Sequence, residues 1–162
     1  MAKTLVVLRH AKSAWPDGVA DHDRPLSGRG RRDAPAVGRW LREQAVPVEL
    51  ALVSSARRTV ETFELVAAEL DTPPRRQVTR DVYEASTGDL LDLVRELPAE
   101  VGTAMVIGHN PSIGMLAALL DERSSGRLDF KTSAVAVFDI GAEWTAANVG
   151  TARLIVSAVP RG

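Results

Sequence analysis

Residues 4–13 read TLVVLRHAKS, and this stretch decides the fold class. Thr4–Leu8 is a short run of β-branched and leucine side chains, the pattern of a buried strand. It ends on Arg9-His10-Ala11-Lys12-Ser13, and a polar loop follows to residue 26, punctuated by Pro16, Gly18 and Pro25.

Strands and amphipathic helices alternate from there. Ser27 stands where a helix N-cap belongs, ahead of GRGRRDAPAVGRWLREQ, in which Val37, Trp40 and Leu41 recur at helical spacing. Pro35 is expected in or near the first turn of this helix, because deeper in it would remove a backbone bond and clash. Arg29 to Asp33 read as solvent-facing charges. Leu50–Ser54 is a second strand. Residues 56–70 form a helix with Val60, Phe63, Val66, Ala67 and Leu70 on one face, ended by Pro73-Pro74. Gln77–Val82 reads as a third strand. Ser86 or Thr87 caps a helix reaching about Leu97, with Asp89 near its positive end. Ala104–Ile107 is a fourth strand, followed by Gly108-His109-Asn110, with Pro111 suited to the first position of a helix carrying Ile113 to Leu120. Residues 122–132 are loop-like, and Val135–Ile140 and Arg153–Val159 are two late strands.

This alternation predicts an α/β three-layer sandwich, a mostly parallel central sheet with helices on both faces. The 162 residues suit one domain, spanning 1–162. In such sheets ligands bind beyond the carboxyl ends of the strands. Those ends carry Arg9-His10 and Ser13, then Ser54-Ser55-Ala56-Arg57-Arg58-Thr59, then Tyr83-Glu84, then Gly108-His109-Asn110. Clustered cations repel unless an anion is bound, and guanidinium forks match phosphate oxygens bidentately. Two imidazoles add what a plain anion site does not need, a nucleophile and a proton donor.

Composition narrows the classes. There is no Cys, which excludes disulfides and thiolate metal sites. The formal charge of −1 offers no basic footprint for nucleic acid. No stretch reaches the ~18 apolar residues of a membrane span, and the apolar run Leu5–Leu8 is too short for a signal-peptide core, so a cytoplasmic protein is expected, with neither nucleic acid nor membrane as partner. His22 between Asp21 and Asp23 suggests a metal, but adjacency does not make ligands converge; no metal and no cofactor is expected.

RHAKS after the first strand, S-x-x-x-R-T-x-x-T across Ser54, Arg58 and Thr62, and IGHNP at 107–111 resemble the histidine phosphatase superfamily, whose fold is phosphoglycerate mutase-like. RHAKS, DRPLSGRGRRDA and VIGHNPSI more narrowly resemble its short bacterial phosphohistidine phosphatase branch. The resemblance implies that His10 is a nucleophile that becomes phosphorylated, that Arg9 and Arg58 clamp the phosphoryl oxygens, and that His109, when protonated, stabilises charge on the transferring group. It also implies that Ser13 and Asn110 are hydrogen-bonding neighbours of substrate. Many members have Gly after the Arg-His pair where this chain has Ala11. Members with ester substrates use a carboxylic general acid, for which Glu84 is the candidate; Arg57 reads as a solvent-facing charge. The partner implied is protein phosphohistidine, or alternatively a small phosphorylated metabolite such as a nucleotide or sugar phosphate. A phosphate-binding module without turnover would need the arginines but not the nucleophile.

Overall fold

Six strands, β1 (Lys3–Arg9), β2 (Leu50–Ser54), β3 (Arg75–Thr79), β4 (Thr103–Gly108), β5 (Val135–Gly141) and β6 (Arg153–Ala158), form one sheet in the order β3-β2-β4-β1-β5-β6. The structure is a computed structural model and describes residues 2–162. β3, β2, β4 and β1 run parallel, whereas β5 is antiparallel to β1 and β6 antiparallel to β5. The sheet is therefore mixed but mostly parallel.

Side chains alternate along each strand, so the sheet feeds two cores. Val6, Leu8, Ala51, Val53, Met105 and Ile107 pack with Val37, Leu41, Phe63 and Val66 from α1 (Gly28–Glu43) and α2 (Arg57–Ala67). Leu5, Val7, Leu52, Ala104 and Val106 pack on the other side. Their partners include Leu90 and Val94 of α4 (Thr87–Arg95) and Ile113, Leu116 and Leu120 of α5 (Ser112–Leu120). These are the three layers expected from the alternation of elements. No helix among the described residues is long and apolar enough to cross a membrane.

The helix starts follow local chemistry. The Ser27 hydroxyl accepts from the Gly30 N–H, and Ser86 with Asp89 forms a capping box, satisfying N–H groups that the first helical turn leaves open. Three details depart from the sequence reading. Pro35 lies well inside α1, because the cap fixes the start at Gly28 and the burial of Ala34, Val37 and Leu41 holds the helix through the proline. Asp33 is buried, not solvated, and accepts from Arg161 and the Gly162 N–H. The third strand stops at Thr79, whose hydroxyl accepts from the Asp81 N–H and starts α3 (Arg80–Tyr83). Val82, in that single turn, is buried in the core. At α5, Pro111 is the cap and Ser112 the first helical residue.

Two glycines permit close approaches. A Cβ on Gly30 would sit 2.1 Å from the Lys12 carbonyl oxygen, where α1 rests on the loop after β1; one on Gly38 would sit 2.4 Å from the Val66 carbonyl oxygen, where α1 meets α2. Alanine normally favours a helix over glycine by roughly 1 kcal/mol. Here the clash reverses the sign: Gly38→Ala should lose about 1–3 kcal/mol, the usual cost of overpacking. Urea denaturation measures it, and an unchanged or raised midpoint would show that the two helices can separate at no cost.

Candidate active site

β1 and β4 pair with Arg9 opposite Gly108, and the next residue on each strand is a histidine. His10 and His109 therefore emerge side by side, their ring centroids 5.2 Å apart and tilted by 53°. β2 lies on the other edge of β4, Val53 opposite Ile107, which brings Ser54 next to His109.

His10 is 6% exposed. Its backbone N–H donates to Gly108 and its carbonyl accepts from Ser133, so the main chain is held on two sides. The ring Nδ1 lies 2.7 Å from the Ala11 carbonyl oxygen. A carbonyl can only accept, so Nδ1 carries the proton and Nε2 keeps its lone pair. Burial pushes the His10 pKa down to about 3 against the raising effect of the Ala11 bond, and the nearby His109, Arg58 and Arg9 push the same way as burial.

His109 is also neutral in this geometry. Its Nδ1 lies 3.2 Å from an Arg58 terminal nitrogen, which can only donate, so the ring proton sits on Nε2, 2.7 Å from the Ser54 hydroxyl. Burial, then Arg58, lowers its pKa to about 4. The resemblance gives His109 its charge-stabilising role when protonated; in this geometry Arg58 occupies the nitrogen that would take that proton.

Arg58 sits in the first turn of α2 and is buried, whereas Arg57 is exposed and pairs with Glu61 at 3.4 Å. One turn on, the Thr62 hydroxyl donates to the Arg58 carbonyl and accepts from the Ala11 N–H, tying α2 to the loop that bears His10. Arg9 donates to the Phe130 carbonyl at 3.3 Å, while its buried Nε has no partner. Burial and Arg58 lower the Arg9 pKa.

A carboxylate holds this arrangement together. Asp21 accepts from Arg58 on its backbone oxygen (2.8 Å) and on Oδ2 (3.2 Å), from Arg24 on Oδ1 (2.9 Å), and from the Tyr83 hydroxyl on Oδ2 (2.8 Å). The Tyr83 bond above all, with Arg24 and Arg58, draws the Asp21 pKa down to about 2. Tyr83 meets His22 and His109 edge to face, with centroids 4.7 and 5.6 Å apart. Arg24 is buried, bonded also to Ser13 and the Ala14 carbonyl, and stacked under the exposed Trp15.

The structure thus brings Arg9, His10, Arg58 and His109 together. Ser13 joins them only through Arg24. Asn110 spends its side chain on the Phe130 carbonyl and the Gly114 N–H. Glu84 stays outside the cluster: it is exposed and paired with Arg80 at 3.0 Å. Asp21, Arg24, Tyr83, Ser54 and Thr62 are in the cluster or support it, though sequence reasoning gave none of them a site role. The Asp21–Arg24 spacing was a usable signal for a local ion pair; the Asp21–Arg58 and Asp21–Tyr83 contacts had none. Among the described residues no three His, Asp or Glu side chains are placed to hold a metal ion.

The model of a family described as the histidine phosphatase superfamily (branch 1) matches residues 5–112. An uncharacterized protein of Mycobacterium tuberculosis (strain H37Rv) is 37% identical over 162 residues, covering 95% of this chain and 100% of that protein. Phosphohistidine phosphatase SixA of Escherichia coli (strain K12) is 30% identical over 134 residues, 82% of each chain. The solved structure of the protein histidine phosphatase SixA complexed with tungstate superposes with a TM-score of 0.82 at 27% identity, covering 97% of each chain.

The two lowered histidine pKa values fix the sign of an acid response. The unfolded chain takes up these protons near pH 6.5, the folded chain only near 4 and 3, so stability rises with pH across that window and is lost as pH falls from about 6.5. Urea midpoints should fall between pH 7 and pH 5, and the double variant His10→Gln, His109→Gln should show a flatter slope. A slope unaltered in that variant would mean the imidazoles are not buried in their neutral form.

Proposed function

Since the chain belongs to the histidine phosphatase superfamily and is a phosphatase, we propose that it hydrolyses phosphohistidine on protein substrates with His10 as nucleophile. The observation that carries this reading is the His10 Nδ1–Ala11 bond, which leaves the Nε2 lone pair free for phosphorus in a ring kept neutral by burial. Residues 1–162 act in this reading as one domain, since all six strands share one sheet.

The reaction follows from the groups present. His10 Nε2 attacks phosphorus in line; the new N–P bond forms as the substrate's P–N bond breaks. The other nitrogen of the departing imidazole has taken a proton from solvent, so it leaves neutral. Arg9 and Arg58 stabilise the equatorial oxygens, the part of phosphoryl transfer that proteins must supply by charge and position. As the phosphoryl group draws Arg58 away from His109, Nδ1 is released to take a proton from solvent and add positive charge. Water then attacks the phosphohistidine, the N–P bond breaks, and inorganic phosphate leaves with His10 restored.

The leaving group is the reason to favour a P–N bond. Glu84 is engaged with Arg80 away from the cluster, and Asp21 is ionised far below neutral pH, so neither is placed to protonate an alkoxide. An imidazole needs no such acid. Likeness to a phosphohistidine phosphatase supports the same substrate class. The tungstate complex of the SixA structure supports an oxyanion pocket.

Rapid quenching with labelled substrate should leave acid-labile, base-stable phosphate on the peptide containing His10, and His10→Ala should abolish both label and turnover. Label on Ser13, or full activity in His10→Ala, would remove the mechanism. In a substrate panel, phosphohistidine protein and phosphoramidate should turn over faster than alkyl phosphoesters; the reverse order, dependent on Glu84, would favour a small phosphoester. Arg58→Ala should cost on the order of 10²-fold or more in rate, whereas Arg57→Ala should have little effect. Equal losses would mean the wrong arginine has been placed on the phosphoryl group.

A further inference from the structure

Arg58 is already engaged. One terminal nitrogen donates to the Asp21 backbone oxygen at 2.8 Å; the other donates to Asp21 Oδ2 at 3.2 Å and to His109 at 3.2 Å. Arg58 is 6% exposed, whereas the Asp21 side chain is about half open to water (52%), so the pair sits at the rim of the site with its guanidinium buried and its carboxylate in contact with solvent. A phosphoryl group that uses Arg58 must therefore share it with a carboxylate or take it from one.

The charges point the same way. Arg9, Arg24 and Arg58 bring three positive charges and Asp21 one negative charge, with His10 and His109 neutral. With both rings neutral the cluster carries two net positive charges, which attract a phosphoryl dianion before His109 takes up its proton. Without the carboxylate the cluster would carry one more positive charge and hold phosphate more tightly than turnover allows, because uniform tight binding of substrate and product does not accelerate reaction. Tyr83 moderates the competitor. Its hydroxyl donates to the same Oδ2 that accepts from Arg58, sharing that oxygen's charge.

We propose that Asp21 competes with the phosphoryl group for Arg58 and thereby sets how readily the product, inorganic phosphate, is released. The proposal rests on the reading above that the phosphoryl group takes Arg58. Asp21 is here an affinity-setting residue, not a catalytic one, since it acts through the arginine.

The test is binding of inorganic phosphate, followed by calorimetry and as a product-inhibition constant. Asp21→Asn keeps the shape and removes the charge; it should bind phosphate at least about tenfold more tightly, as expected for deleting a negative charge a few ångströms from a dianion. A merely structural role predicts the opposite, because a loosened Arg58 would weaken binding. Unchanged or weaker phosphate binding in Asp21→Asn therefore overturns the proposal. Tyr83→Phe should move binding the other way, to a few-fold weaker, by returning the full carboxylate charge to Arg58. Should Asp21→Asn fail to fold, unchanged or tighter binding in Tyr83→Phe overturns the proposal by itself. Arg58→Ala separates the two readings: if it binds phosphate as the wild type does, the phosphoryl group does not use Arg58, and the placement of the site fails before the role of Asp21 is reached.

Discussion

The parallel pairing of β1 with β4 is the constraint on which the site depends. Because Arg9 lies opposite Gly108, the residues that follow, His10 and His109, leave the sheet at the same level. A slip of one residue in a strand would send its side chains to the opposite face and separate the two rings. The register is held by burial on both sides: Leu5 and Val7 point to one core and Val6 and Leu8 to the other. The apolar strands do not take part in chemistry, but they decide which two imidazoles meet.

Given that meeting, the site has an electrostatic problem to solve. Three guanidinium groups and two imidazoles converge where water is scarce. Burial answers part of it by keeping both rings neutral, with pKa values near 3 and 4. Asp21 answers another part by bonding to two of the arginines. What is left over is positive charge, and two buried polar atoms beside it have no partner. Arg9 Nε is buried and unpaired, and so is the Ser133 hydroxyl, whose residue sits at φ 66° while its N–H holds the His10 carbonyl. Unpaired buried donors are costly and gather at functional sites.

Small local devices carry this arrangement from the helices to the strand ends. Thr62 ties α2 to Ala11, Ser27 both caps α1 and donates to the Lys12 carbonyl, and Gly30 lets α1 rest against that same carbonyl. Each acts on the loop that follows β1. The loop bearing the nucleophile is therefore fastened at its backbone by two helices, and its geometry does not rely on the flexible side chains around it.

Much of this was legible in the residues themselves. Apolar runs of strand length, helical spacing, the caps at Ser27 and Ser86 and the order of Arg9-His10, Arg58 and His109 along the chain are all local patterns, and local patterns are set by backbone geometry and solvent exclusion. They were enough for the layers of the fold and for the four groups that converge. Local rules misled at Pro35 inside α1, at Asp33 in the interior, and at the third strand, read through to Val82 but ended at Thr79 by a helical turn. The remaining decisions belonged to tertiary structure. The Arg80–Glu84 pair has the i,i+4 spacing of a helix and Tyr83 follows the third strand, but no spacing in the sequence joins Asp21 to Arg58 or to Tyr83. Such contacts depend on where separate loops finish in space, and that is settled only when the strands beneath them have paired and their side chains have packed.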